Sequence, residues 1–217
     1  MYMNLEDRLY RFEGATNERD LQKCFHELAQ AFLYGGYIQV RNDYRIYIRT
    51  VEFYFHSEKK DGIHDPIVYH RNIRDIKGNI LEKVPYFPTM SLHAHSSGYD
   101  ITFESEVGEY RSSALIRSYE VKDTDEKYLL WNTEKGMFIK SETYGFNTQS
   151  TYLYFLLNGF PLGVSNDIKW VNSQRESSEP FANIRQNVFQ SESEWKYIKT
   201  SSKCGRKWSF TRNEIVK

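Results

Sequence analysis

The spacing of apolar and polar positions divides the chain into one amphipathic helix followed by a long series of strands. Over residues 17–33 the apolar residues Leu21, Phe25, Leu28 and Phe32 recur at spacings of four and three, the period of a single helix face. Asn17 can cap the start of this helix and Gly35-Gly36 can end it. His26 lies one position beyond Phe25, at the edge of the buried face, where a lone imidazole reads as structural. The period then changes to two. Residues 37–41 and 44–49 are rich in β-branched and aromatic side chains, and Asn42-Asp43 between them is turn chemistry, so the pattern predicts a hairpin. Its second strand continues with Val51, Phe53 and Phe55 on one face and Glu52, Tyr54 and His56 on the other. That second face is either a solvated outer surface or a place where a carboxylate, a phenol and an imidazole work together.

Residues 57–90 read as a long loop, with charges at Glu58 to Asp61, then Gly62-Ile63-His64-Asp65-Pro66 and Tyr69-His70-Arg71-Asn72. Long loops in compact domains are uncommon and often functional. Lys77-Gly78-Asn79 marks a tight turn within it. A strand over 91–95 places His93 and His95 on one side, because they are two apart. Residues 96–100 read as a hairpin tip carrying Tyr99, and residues 113–121 as a closing strand in which Arg117 stands among Leu115, Ile116 and Tyr119. A guanidinium in that setting needs an anionic or carbonyl partner if it is buried. Beyond it the pattern predicts short elements around Gly136, a buried helix over 148–158 and a strand over 167–171. Residues 1–18 suggest an extended arm or a short helix. With no internal repeat and no linker, the expectation is one domain spanning 1–217: an α+β fold with a curved, mainly antiparallel sheet and peripheral helices.

Composition narrows what such a domain can do. The 217 residues hold 29 Lys plus Arg against 29 Asp plus Glu, so the whole-molecule field attracts neither nucleic acid nor a membrane, and any basic footprint is local. One candidate footprint is residues 195–217, where Lys196, Lys199, Lys203, Arg206, Lys207, Arg212 and Lys217 outnumber Glu214 and alternate with Trp195, Tyr197, Trp208 and Phe210. Such a segment can track a phosphate backbone and stack on bases, or it can be an edge strand kept soluble by its charges. Cys24 and Cys204 show no metal-binding spacing and read as free thiols of a reducing compartment. There is no basic-then-apolar leader and no apolar run of about 18 residues, so a cytoplasmic, soluble protein without a membrane partner is expected.

Five of the six histidines fall between residues 44 and 120, and here the residues carry a resemblance. Leu28-Ala29-Gln30-Ala31-Phe32-Leu33, a hairpin, and then Arg49-Thr50-Val51-Glu52 resemble the opening of the alkyladenine-DNA glycosylases. In that family a Leu-Ala-x-x-Phe-Leu-Gly helix end precedes a strand reading Arg-Ile-Val-Glu-Thr-Glu-Ala-Tyr. The order continues similarly through Gly62-Ile63-His64-Asp65, Leu92-His93-Ala94-His95 up to Gly98, Ala114-Leu115-Ile116-Arg117, and the closing Arg206-Lys207-Trp208-Ser209-Phe210. The resemblance implies a DNA repair hydrolase that excises a modified base by cleaving its N-glycosidic bond, with DNA or a nucleobase-containing ligand as partner and no cofactor. Arg117 matches the family's arginine. The departures are as informative. The water-activating second Glu of the family is Tyr54 here, the stacking ring two residues later is His56, and Glu52 matches the first Glu. The family's base-sandwiching tyrosines become His93, His95 and Ser97, with Tyr99 as a substitute ring.

The pocket chemistry remains open between two sets. For glycosidic cleavage, Glu52 or Asp65 accepts a proton, Tyr54, His56, His64 and Arg117 complete the catalytic group, and His93, His95 and Tyr99 bind the base. Alternatively, His64, Asp65, His93 and His95 form an N,O ligand set for a divalent metal in a hydrolase. A third reading is a module that binds nucleic acid or a nucleobase on the same fold without catalysis, which Tyr54 at the catalytic position favours.

Overall fold

Two capped helices open the chain. In α1 (Leu5–Tyr10) the side chain of Asn4 accepts the Asp7 N–H at 2.7 Å, and in α2 (Glu18–Tyr34) Asn17 accepts the Asp20 N–H at 3.0 Å. Both bonds satisfy donors that a helix start leaves without partners. α1 resolves the choice left open for residues 1–18 in favour of a short helix. The buried face of α2 is the predicted one, Leu21, Phe25, Leu28 and Phe32, with Ala29 and Leu33 beside it. Gly36 begins the next strand because a Cβ there would lie 2.2 Å from the Val171 carbonyl oxygen. The computed structural model describes residues 4–65, 67–95, 97–157, 168–173, 178–185 and 206–213.

The strands are β1 (Gly36–Val40), β2 (Tyr44–Ser57), β3 (Ile73–Arg74), β4 (Ile80–Glu82), β5 (Ser91–His95), β6 (Gly98–Thr102), β7 (Tyr110–Asp123), β8 (Tyr128–Asn132), β9 (Met137–Ser141), β10 (Ile168–Asn172), β11 (Phe181–Asn183) and β12 (Ser209–Thr211). Among the described residues, ten of them form one antiparallel sheet with β10-β1-β2-β7-β6-β5 as its spine. β2 and β7, of 14 residues each, run the whole height of the domain. β1 flanks the first half of β2 and β12 the second, while β8 and β6 divide β7 in the same way. A sheet that branches on both edges of one ribbon curls into a half-barrel, and α2 lies against its apolar side.

Two expectations change. Residues 57–90 are not wholly irregular, since β3 and β4 pair as a small hairpin around the turn at Gly78, whose φ is +86°. Asp75 stabilises that turn by accepting the N–H groups of Lys77 and Asn79. The helix expected over 148–158 is shorter within the described residues, a 3₁₀ turn at Ser150–Tyr152 followed by α3 (Leu153–Leu157).

Aromatic rings fill the space between α2 and the sheet. Phe53 stacks on Phe25 at 4.6 Å and meets Phe32, Phe103 and Phe210 edge-on or tilted within 6.3 Å. Phe12 joins Phe25, Phe55, Phe103 and Tyr110 in the same way. Part of the aromatic excess of the composition is therefore core.

Candidate functional site

The site begins with an irregularity in the central ribbon. Cross-strand pairing runs Ile48↔Tyr119, Thr50↔Ser118, Val51↔Ile116, which leaves Arg49 on β2 and Arg117 on β7 without opposite residues. One extra residue in a strand reverses the inward and outward alternation beyond it. Ile46 and Ile48 before the bulge, and Val51, Phe53 and Phe55 after it, all therefore join the apolar core. Arg49, Thr50, Glu52, Tyr54 and His56, with Arg117 and Ser118, take the other face.

On that face lies a cleft of about 930 Å³, within the size range of small-molecule sites. Thr50, Glu52, Arg117 and Ser118 form its floor. Lys207, Ser209 and Thr211 line one wall with residues 182–184, and Ser97 with Phe146 and residues 148–151 line the other. The second wall is pinned by two contacts. Tyr119 donates its hydroxyl to the Gln149 carbonyl at 3.1 Å, and Ser150 donates to the Ser97 carbonyl at 2.7 Å. Gly98 allows the latter approach, since a Cβ there would fall 1.9 Å from Ser150 Oγ.

Glu52 is 1% exposed and its Oε2 accepts from Arg117 Nε at 2.7 Å and from the Tyr54 hydroxyl at 3.0 Å. Arg117 also reaches the Tyr54 hydroxyl at 3.4 Å. The half-buried guanidinium thus has an anionic partner, one of the two kinds expected from its sequence setting. Burial, and then the Glu52 charge, push the Tyr54 phenol above its ordinary range, so Tyr54 acts as a hydrogen-bond donor and not as a base. A chain of hydroxyls continues along the floor: Ser118 donates to Thr50 at 2.7 Å, and Thr50 lies 3.2 Å from Thr211. Two charged pairs stand beside Tyr54 and Phe146. Arg185 holds Asp65 at 2.6 Å with its guanidinium 4.9 Å from the Tyr54 ring, and Arg49 holds Glu120 at 2.8 Å while stacking on Phe146 at 4.5 Å.

The remaining expected residues are placed apart from the cleft lining. Asp65 is committed to Arg185, and His64 Nε2 lies 3.0 Å from the Lys60 carbonyl. His93 shares a sheet row with Glu52, through Asp100 and Leu115, but at its far end. There its ring packs on Phe87 at 4.3 Å and its Nδ1 meets the Tyr69 hydroxyl. The His95 backbone belongs to β5, and its side chain lies outside the described residues. Tyr99 is a correction: it stands on the opposite face of β6 and packs into the hydrophobic core at 1% exposure, because alternation puts it out of phase with Asp100. For the alternative ligand set, His64, Asp65 and His93 have separate partners, and among the described residues no group of three His, Cys, Asp or Glu could hold a metal.

His56 is buried beside the Asp65 backbone, whose N–H it accepts on Nδ1 at 3.2 Å. Its ring faces His64 at 5.1 Å. Burial pushes the imidazole down to about 4. The unfolded chain, titrating near 6.5, therefore binds more protons than the folded one between these values, and stability rises with pH across that window. Acidification from about pH 6.5 to 4 is expected to cost on the order of 3 kcal/mol through this group alone. Urea midpoints at both pH values check it; a His56→Gln chain that loses as much stability as the wild type between them would show that the imidazole is not the source.

Sequence reasoning did not find Phe146, Gln149, Asn183 or the hydroxyls of Thr50 and Ser118, which carry no motif and reach the cleft only through pairing. The basic C-terminal segment is also redistributed. Trp208 and Phe210 are core residues and cannot stack on a ligand, and Arg206 pairs with Glu18 at 2.5 Å. Lys207 alone of that set's described residues lines the cleft, while Trp195, Tyr197, Lys196, Lys199, Lys203, Glu214 and Lys217 lie outside the described residues. No helix among the described residues is long and apolar enough to cross a membrane. Comparison of the chain with protein-family models, with curated proteins and with solved structures finds no match.

Proposed function

We propose that this chain is an N-glycosidic hydrolase that accepts a modified base extruded from DNA, with Glu52 as its working carboxylate. The observation that carries the reading is the Glu52 carboxylate on the floor of a cleft of about 930 Å³, roomy enough for a nucleotide, oriented by Arg117 and Tyr54. The resemblance to the alkyladenine-DNA glycosylases supports the same class. Position 54 is a phenol, so the carboxylate two residues earlier takes over its task.

The chemistry follows from the charges. An alkylated purine is cationic and leaves as a neutral base when the bond from its nitrogen to C1′ breaks with both electrons going to the base. The positive charge that develops on the sugar is stabilised by the nearby carboxylate. A water attacks C1′ and gives its proton to Glu52, and general-base catalysis of this kind contributes about a hundredfold or more. Arg117 and Tyr54 fix the carboxylate plane so that no reorganisation is needed during the reaction.

The test is release of free methylated base from double-stranded DNA methylated on its purines, followed by chromatography. The wild-type chain is expected to release base, and Glu52→Gln to release it at least about a hundredfold more slowly with the fold retained by circular dichroism. Absence of release by the wild type, or equal release by the variant, would overturn the reading.

A further inference from the structure

The two walls of the cleft differ in a way that assigns an orientation to its ligand, an inference that rests on the hydrolase reading and extends it. Among the described residues of the lining Phe146 is the aromatic one, and it remains 43% exposed. The Arg49 guanidinium covers it at 4.5 Å, and Tyr144 lies at 6.5 Å from its ring centre. A ring anchored by a buried cation and still open to a cleft is a stacking platform. Gln149 stands on the same wall with a carboxamide that makes no hydrogen bond among the described residues. Its two donors and one acceptor oxygen suit the edge of a heteroaromatic base.

The opposite wall has a different chemistry. Lys207 lines it and makes no ion pair among the described residues, while Ser209 and Thr211 add hydroxyl groups. Glu52 pairs with Ser209 in the β2–β12 ladder, and β7 reaches the other wall through the Tyr119↔Asn147 bridge. The lateral order is therefore phosphate-type wall, carboxylate floor, aromatic wall.

We propose that a nucleotide unit lies across the cleft with its base stacked on Phe146 and read by Gln149, its phosphate at Lys207, and its sugar over Glu52. This orientation puts the carboxylate at the sugar, where charge develops on cleavage. It also makes Phe146 and Gln149 the residues that select the base.

The experiment is calorimetric titration of the full chain, carrying Glu52→Gln so that nothing is hydrolysed, with deoxyadenosine 5′-monophosphate, deoxyadenosine and deoxyribose 5-phosphate. Phe146→Leu keeps an apolar cover over Arg49 while removing the π-face. It is expected to weaken the nucleotide and the nucleoside alike, by about 5- to 100-fold, and to leave the sugar phosphate unchanged. Lys207→Met is expected to weaken the nucleotide and the sugar phosphate but not the nucleoside. Nucleotide binding indifferent to both substitutions, or no nucleotide binding at millimolar concentration, overturns the orientation. Base release that depends on Glu52 but not on Phe146 also overturns it while leaving the hydrolase reading intact. The expected binding pattern without any base release by the wild type upholds the orientation and removes only the hydrolysis.

Discussion

Replacing Arg111 with Ala is expected to destabilise the fold by roughly 3–5 kcal/mol. Its side chain is fully buried and every part of the guanidinium is used. Nε reaches Glu58 at 3.2 Å, Nη1 reaches Glu104 at 3.1 Å and the Pro85 carbonyl at 2.9 Å, and Nη2 reaches the Val84 carbonyl at 2.6 Å and Asn72 at 3.3 Å. The Tyr86 ring lies 3.5 Å from the guanidinium carbon. Removing this cation leaves Glu58 and Glu104 buried with less compensation, although Arg74 still meets Glu58 at 3.1 Å and His70 still meets Glu104. Lys cannot reproduce a planar five-donor fork, so Arg111→Lys should recover only part of the loss.

The same residue ties segment 57–90 to β7, so proteolytic nicking within that segment should accelerate in step with the fall in urea midpoint. The pH dependence is a second check. Burial works to raise the Glu58 carboxyl, but the hydrogen bonds from Asn72 and Arg74, the His56 charge and the Arg111 bond outweigh it and hold the group below its ordinary range. A carboxyl depressed by folding contributes stability that is present above its unfolded value and lost as pH falls through its folded value. The gap between wild type and Arg111→Ala should therefore narrow on acidification. A gap unchanged between pH 7 and pH 3.5 would falsify the electrostatic account.

The second large effect is expected at Phe53, where substitution by Ala should cost about 3–5 kcal/mol. Phe53 is fully buried and joins the helix, through Phe25 and Phe32, to the sheet, through Phe103 and Phe210. An alanine there opens a cavity that none of the four surrounding rings can collapse to fill. Phe53→Leu keeps most of the volume and should lose clearly less. Urea unfolding of both variants measures the difference; equal losses would mean that ring packing at this position adds nothing beyond burial.

Much of the fold is legible in the pattern because it is local. Leu21, Phe25, Leu28 and Phe32 announce the long helix α2, and the alternation through Val51, Phe53 and Phe55 announces the core face of the second half of β2. Turn chemistry at Lys77-Gly78-Asn79 and at Gly136 lies where the chain does reverse. The β3–β4 hairpin was missed because strands of two and three residues carry too short a pattern to register a period. Tyr99 was misplaced because the residues before it read as a longer hairpin tip, whereas β6 already begins at Gly98.

The residue pattern alone specified the class of fold, the core faces of α2 and of the second half of β2, and the need of a buried Arg117 for an anionic or carbonyl partner. Those properties depend on the period of each segment and on the chemistry of single residues. Tertiary structure alone decided which anion answers Arg117, because Glu52 and Arg117 meet across two strands that lie 65 residues apart in the chain. It also decided that Asp65, His64 and His93 go to other partners, and that Phe146, Gln149 and Lys207 share one cleft. The physical reason is the paired bulge at Arg49 and Arg117 together with the branching of the sheet around it. Both are properties of register between distant strands, which no local spacing encodes.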